Sequence, residues 1–462
     1  VDAFAQAFGE VRSALAARPV SPGALWSALE RTFEVDPARH AEVVVRYCVS
    51  HRAEVPAGLR RVEGLDALAR HVEVAPFATF DLWVSRRFGA LAEARQAWAG
   101  CVGLDRVRGL NLRHTRLDPD NVAAVCELEL PALEQLDLSH NRLYGAGFEE
   151  LCGAPWMAGL GSLRLHDARV DDASLEALGR GGEAFSGLEV LDVSKNGLGA
   201  PGAGHVLRAG FMGRLRSLDM SWNPIGDAPL DLLGALDAQA PLRSLAVCDA
   251  RLTEGGAGSI ARARGLAGLT RLDLRANAIG DAGAALFAGS APLANLRELA
   301  LSTNRIGHAG AAALARSAHL TALEELDLSW NPIGDEGVRA LARSPSLSGL
   351  HTLGLFDVGM GAPGVRALAR SAHLSGLRRL NLGSNRLGDE AVRELLASGV
   401  CAGLERLDLS MCGLTDEGIV AVANAPALSN LDALVVHGNQ VSERGLDALE
   451  RSPHLKGLAW LP

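Results

Sequence analysis

A chain of 462 residues with a formal net charge of −9 argues against nucleic acid as a ligand, since phosphate backbones call for a basic surface. It holds no run of about twenty apolar residues, so no membrane span is expected, and its opening stretch lacks the basic and apolar regions of a signal peptide. The seven cysteines are scattered, with no C-x-x-C; this excludes a disulfide framework and fits free thiols in a cytoplasmic setting.

In chain order, residues 1–103 read as an all-helical domain. Asp2 to Ala17 places Phe4, Phe8, Val11 and Leu15 at helical spacing. Ser21-Pro22 and Asp36-Pro37 are start signals for two more helices, one through Leu25, Trp26 and Leu29, the other through Val43, Val44 and Tyr47. Helical pattern returns at 64–71 and 90–98. The simplest role for this domain is to cover the first strand of the repeats beyond it, because a stack of repeats otherwise exposes an apolar edge.

From about residue 104 one unit recurs, best seen in LEELDLSWNPIGDEGVRALARSP, Leu323 to Pro345. Aligned on its Asn, the same position falls at Thr115, Asn141, Ala168, Asn196, Asn223, Ala250, Asn277, Asn304, Asn331, Val358, Asn385, Cys412 and Asn439. The steps are 26, 27 and 28 residues, then 27 throughout. Leu323, Leu326 and Leu328 give the pattern of a short strand with one buried face. Val338, Leu341 and Ala342 then sit at helical spacing. One strand and one helix cannot bury an apolar face alone, so the units must stack into a parallel sheet on one side and a row of helices on the other. The anchor Asn is expected to bond backbone groups at the strand-to-turn corner. At the far end, Leu455 to Trp460 begins a fourteenth unit, so the stack is expected to end on a strand with no polar cap.

The motif L-x-x-L-x-L-x-x-N-x-L at this period is the signature of a leucine-rich repeat. With N-x-I-G-D-x-G-x-x-x-L-A it resembles the ribonuclease-inhibitor-like subfamily, over residues 104–462. The resemblance implies an α/β solenoid, a horseshoe with a parallel concave sheet and convex helices, that binds a partner protein. It also implies a second reading, a regulator or inhibitor of an enzyme or small GTPase. A third, drawn from bacterial repeat proteins that carry a ubiquitin-ligase domain, makes Cys48 a nucleophile. Nearly all the positive charge is arginine, with Lys195 and Lys456 the two lysines; with abundant Ala, Gly and Leu, this composition is associated with a bacterial source.

Residues between the second and third leucines should point out of the concave face. Among them are Asp137, Asp192, Asp219, Asp273, Asp327 and Asp408. These form either an acidic strip for a partner with a basic surface or a consensus position whose Asp bonds the following Ser. Trp222 and Trp330 occupy one place in two identical SWNPIG units and are candidate interface anchors. Three copies without Asn carry Asp one place earlier: Asp167, Asp249 and Asp357, the last beside Phe356. Each such Asp either compensates for the lost Asn by bonding nearby backbone or faces a binding surface; compensation is the favoured reading. Catalytic patterns are missing: no H-E-x-x-H, no phosphate-cradling G-x-x-x-x-G-K-S/T, no G-x-S-x-G. His40, His51 and His71 read as solvent-facing, and Cys48 lies one helical turn from His51. No metal or cofactor is expected.

Overall fold

The computed structural model describes residues 3–17, 22–44, 48, 61–63, 68, 80–84, 87–99, 101–181, 185–455 and 459–461. The chain divides into two compact units, residues 1–196 with 209–211 and residues 197–208 with 212–462.

The first unit opens on helices α1 (Ala3–Ala16) and α2 (Pro22–Val35). Phe4, Val11 and Leu15 of α1 and Leu25 and Leu29 of α2 are buried, as the spacing predicts, together with Ala7 and Ala28, whereas Phe8 and Trp26 are half-buried. Asp36 caps the short helix α3 (Pro37–Arg39) by accepting from the Arg39 N–H at 3.0 Å; the chain continues as a π-helical turn, His40–Val44. Ser21, Tyr47, His51 and His71 lie outside the described residues. His40 does not face solvent: it is buried, its Nδ1 2.7 Å from the Thr32 hydroxyl. A hydrogen-bonded partner suffices to bury an imidazole.

Strand pairing also reaches back before residue 104, so 1–103 is not wholly helical. β1 (Arg61–Glu63) pairs with β2 (Phe80–Trp83), and β2 with β3 (Val107–Asn111), all parallel. β4 (Gln135–Asp137), β5 (Ser162–Arg164) and β6 (Val190–Asp192) continue in the same register. RVE and FDLW carry no leucine ladder, which hides them from the repeat pattern.

The second unit repeats one geometry. β7 (Ser217–Asp219), β8 (Ser244–Ala246), β9 (Arg271–Asp273), β10 (Glu298–Ala300) and β11 (Glu325–Asp327) are followed by β12 (Thr352–Gly354), β13 (Arg379–Asn381), β14 (Arg406–Asp408), β15 (Ala433–Val435) and β16 (Ala459–Leu461). From β7 to β15 the middle leucines pair with one another. Each strand leads to a helix of eight or nine residues such as Gly334–Ala342, which buries Val338, Leu341 and Ala342. Asp335 and Glu336 in its first turn favour the helix dipole. One crossover differs: Ala228–Ala235, APLDLLGA, winds as 3-10 helix.

Three ladders of side chains tie successive repeats together. The first is the anchor Asn. Asn331 Oδ1 accepts from the N–H groups of Asn304 and Ile306 at 2.8 and 2.9 Å, and its Nδ2 donates to Leu301 O and Leu328 O at 2.8 and 3.0 Å. Each Asn therefore serves its own turn and the one before it. The second is the Asp that opens a helix. Asp281 Oδ1 accepts from the N–H groups of Gly307 and Gly310 in the next repeat, and Asp335 does the same for Gly361 and Gly364, all at 2.7–2.8 Å. This explains the Gly at the third position of the following helix: a Cβ on Gly310 would lie 2.6 Å from Asp281 Oδ1, and one on Gly364 2.8 Å from Asp335 Oδ1. In the third, Ser290, Ser317, Ser344 and Ser371 each donate to a carbonyl at the end of the preceding helix, at 2.5–2.7 Å. Orphan carbonyls at a helix end are thereby satisfied.

Candidate functional site

Two rows of side chains leave the repeats without being consumed by these ladders. One is the residue just before the anchor Asn. In every repeat its backbone is left-handed, from His114 (φ 57°) to Trp222 (φ 56°), Trp330 (φ 59°), Asp357 (φ 49°), Met411 (φ 51°) and Gly438 (φ 72°). L-residues adopt this conformation at a cost of about 1–2 kcal/mol. The stacked backbone imposes it: the N–H of this residue donates to the next repeat, as Trp330 does to Phe356 O at 2.7 Å and Asp357 to Gly383 O at 2.9 Å.

Trp222 and Trp330 therefore stand on the outside of the turn, 48% and 54% exposed. The Trp330 ring lies 5.0 Å from that of Phe356, and a Cβ on Gly383 would meet the Phe356 ring at 2.7 Å. Glycine at 383 is what lets Phe356 lie across the next repeat. Met411, which the sequence pattern did not single out, is also exposed at this position. Its signal was present, since it is the residue before an anchor in the 27-residue frame.

Asp167, Asp249 and Asp357 share this left-handed position and do not compensate for the missing Asn. Asp167 Oδ2 bonds Lys195 Nζ at 3.0 Å and approaches His140 Nδ1 at 3.3 Å. Among the described residues the carboxylates of Asp249 and Asp357 accept no hydrogen bond. The backbone compensates instead. Where Val358 replaces Asn, the preceding turn closes on itself through Ile333 N–H to Asn331 O at 2.8 Å, and Gly334 N–H donates to Val358 O at 2.9 Å. Gly334 has φ 59°, which glycine adopts without penalty.

The second row is the strand position of the aspartates. Each uses one oxygen to hold the turn two residues on: Oδ1 of Asp137, Asp192, Asp219, Asp327 and Asp408 accepts from the following Ser N–H at 2.8–3.0 Å, and Asp273 from Arg275 N–H at 3.3 Å. Asp137 and Asp273 are nearly enclosed, whereas Asp192, Asp219, Asp327 and Asp408 keep partial exposure. In the second unit the aspartates are not on successive strands. Ala246 separates Asp219 from Asp273, Ala300 separates Asp273 from Asp327, and Gly354 comes next. The small residues give each carboxylate room; the Asp327 carboxylate leans over Gly354, where a Cβ would collide with it.

Nor is the face uniformly acidic. Arg275 forks onto Asp273 with 2.8 and 2.7 Å bonds. Burial alone would raise the Asp273 carboxyl; the Arg275 fork and the Cys248 thiol outweigh it and hold the group below its ordinary range. Arg271 pairs with Glu298, Arg379 lies 3.5 Å from Glu325, and Arg378 3.2 Å from Glu405. Between β11 and β15 the face forms a depression of ≈ 580 Å³ with Asp327, Asp408, Arg379 and Arg406 around Gly354 and Ala433.

The repeat register, the Asn ladder and the strand–helix crossovers decide the fold. These are leucine-rich repeats. Sequence comparison matches residues 215–228, 269–288, 293–315, 319–342, 373–396 and 401–423 to the family described as "Leucine Rich repeat" and 132–154 to "Leucine Rich Repeat". Among solved structures, an internalin from Listeria monocytogenes is 20% identical with a TM-score of 0.51, covering 80% of this chain and 93% of its own. A chain of the Rad7 and Elc1 complex in yeast is 19% identical with a TM-score of 0.51, covering 76% of this chain and 85% of its own. No curated protein matches. At these identities the likeness concerns the fold. Leucine-rich-repeat folds are typically binding scaffolds.

Six of the seven thiols do not offer an activated nucleophile. Burial pushes Cys48 up to about 12, and the same cause does so for Cys126, Cys152, Cys248, Cys401 and Cys412. A thiol that is raised rather than lowered is a packing residue at neutral pH. Among the described residues no group of His, Cys, Asp and Glu could hold a metal ion, and no helix is long and apolar enough to cross a membrane.

Proposed function

We propose that the chain is an interaction scaffold whose second unit binds a partner protein across the open sheet face and its turn edge. The observation that carries this reading is Trp330: a large apolar ring, 54% exposed, in a backbone conformation that disfavours it, with Phe356 beside it. Trp222 lies four repeats away, roughly 19 Å at ordinary strand spacing. Apolar side chains of the partner would pack on Trp222 and on the Trp330–Phe356 pair. Its basic side chains would meet the partly exposed carboxylates of Asp219, Asp327 and Asp408, with Asp357 beside the aromatic pair. Asp137, Asp192 and Asp273 contribute chiefly by shaping turns. Aromatic anchors flanked by charge that fixes orientation are a common division of labour in interfaces. The helices of residues 3–44 are proposed to cover the start of the repeat stack.

Affinity capture with the full chain, at low and at high salt, tests this against Trp222→Ala/Trp330→Ala and Asp327→Asn/Asp408→Asn chains. A partner captured by the wild type should be lost with the tryptophans and weakened by salt and by the Asn pair. Equal recovery of that partner by all three chains would rule out the sheet face as its binding surface.

A further inference from the structure

The first unit carries a different feature at its turn edge. The sequence repeats a short pattern there, His114-Thr115-Arg116 and then His140-Asn141-Arg142. His114, Arg116 and His140 are all in left-handed backbone, so the turns present them in the same way from successive repeats. The two imidazoles stack with ring centroids 4.1 Å apart, 6° from parallel. Asp167 orients the second ring, its Oδ2 3.3 Å from His140 Nδ1 and itself held by Lys195 at 3.0 Å. Rings stacked in this way set their nitrogens side by side rather than converging on one point, which suits a wall better than a metal cage.

A third cation arrives from a separate segment. Phe88 N–H donates to Thr115 O at 2.7 Å and the Phe88 ring packs on Trp98, which holds Arg87 beside the turns. Arg87, His114, Arg116, His140 and Arg142 line a hollow of ≈ 540 Å³. Its one lining carboxylate, Asp118, has an oxygen engaged by Asp120 N–H at 3.1 Å. Among the described residues none of the three guanidiniums has an ion-pair partner. Elsewhere arginine follows the anchor too, at Arg251, Arg305 and Arg386, so Arg116 and Arg142 alone would be solvated surface. The hollow, the stacked histidines and Arg87 set this place apart in a chain of net charge −9.

We propose that this hollow binds a phosphomonoester-type tetrahedral oxyanion, gripped by the forked donors of Arg87, Arg116 and Arg142 with the His114–His140 pair as one wall. Planar guanidinium forks match phosphate oxygens in pairs, and the volume exceeds one phosphate, leaving room for the group that carries it. His114 also makes the site pH-sensitive. Partial desolvation, His140, Arg113 and Arg87 hold its pKa below the ordinary value, against a smaller opposite pull from Asp167. A bound dianion favours the protonated ring, so binding takes up a proton and tightens as pH falls.

Calorimetric titration of the full chain with sulfate, inorganic phosphate and a short phosphoserine peptide tests the site. Sulfate stays dianionic between about pH 6 and pH 8, so any pH dependence of its binding belongs to the protein. Sulfate should bind more tightly at the lower pH. Arg116→Ala/Arg142→Ala should weaken all three ligands at least about tenfold, the loss expected for a charged hydrogen bond. Arg251→Ala/Arg305→Ala, the same turn position in the second unit, should leave binding unchanged. Arg116 and Arg142 are exposed, so both double variants should melt as the wild type does. A peptide that outbinds phosphate identifies a phosphorylated side chain as the source, and equal binding identifies a free phosphate compound. No heat with any ligand, or equal affinity in the Arg116→Ala/Arg142→Ala chain, overturns the proposal.

Discussion

At the same left-handed turn position the two units carry opposite chemistry. The first presents His114, His140, Asp167 and Lys195, all titratable. The second presents Trp222, Asp249, Ala276, Thr303, Trp330, Asp357, Ser384, Met411 and Gly438, with large apolar groups and no cation. Backbone geometry is shared, so the fold does not choose between them. A row whose conformation is fixed and whose residue type is free is where selection for binding can act without disturbing the stack. The Asn, Asp and Ser ladders show the reverse, keeping one residue type from repeat to repeat because each member completes a neighbour's hydrogen bonds.

The largest effect should come from breaking that ladder where it is already thin. In the second unit every turn that lacks Asn is flanked by turns that have it. Asn331→Ala would create the first adjacent pair of Asn-less turns, with Val358, and should destabilise by about 3 kcal/mol, since several buried groups lose partners together. Asn304→Ala keeps Asn on both sides and should cost about half as much in urea denaturation. Equal losses would mean that neighbouring Asn residues do not share the work.

Next in size is Gly310→Ala, which sets a methyl against Asp281 Oδ1 and the Ile306 side chain. A loss of about 1–3 kcal/mol is expected from overpacking; Asp281→Ala in the same chain should recover part of it by removing the collision.

Smaller still is the contribution of the Asp273–Arg275 fork. The folded carboxyl titrates below its unfolded value, so its stabilisation is fully present above the ordinary Asp range, near pH 3.9, and is lost as pH falls through the folded pKa. Wild type should therefore lose melting temperature more steeply on acidification than Asp273→Asn, with the two curves drawing together at the acid end. Parallel curves would mean that the fork contributes nothing to acid sensitivity.

The smallest stability effect should be Trp330→Gly. It relieves left-handed strain while losing the Phe356 contact, so the melting temperature should move by no more than the equivalent of about 1 kcal/mol either way. Thr303→Gly at the same position lacks the aromatic term and should be stabilising. A large loss in Trp330→Gly would make the ring structural and withdraw its role as an anchor.

The period of 27 makes the strands, the helices and the anchor Asn legible, because burial and crossover length are written in leucine spacing. The purpose of Gly310 and Gly364 is not legible there, since it depends on an Asp one repeat away. The sequence frame gives Trp222 and Trp330 one shared place in the repeat, yet nothing in Trp, His or Met suggests left-handed backbone; the stack imposes it. For the aspartates between leucines the pattern leaves consensus and binding both open, and half of each carboxylate is committed to its own turn. Asp249 and Asp357 mislead because an Asp in a turn usually bonds backbone, and here the turn closes through Ile333 N–H and its neighbours instead. β1 and β2 escape because RVE and FDLW have too few leucines to register.

Each anchor Asn serves its own turn and the one before it, which makes the repeats interchangeable at their seams. Excising the 27 residues from 305 to 331 would bring Asn304 into the frame of Val358 with every donor and acceptor of the splice already present. Length in this unit is thus a quantity that evolution can count up or down in single strands of roughly 4.8 Å, lengthening or shortening the reach of its binding face while the chemistry of each step stays the same.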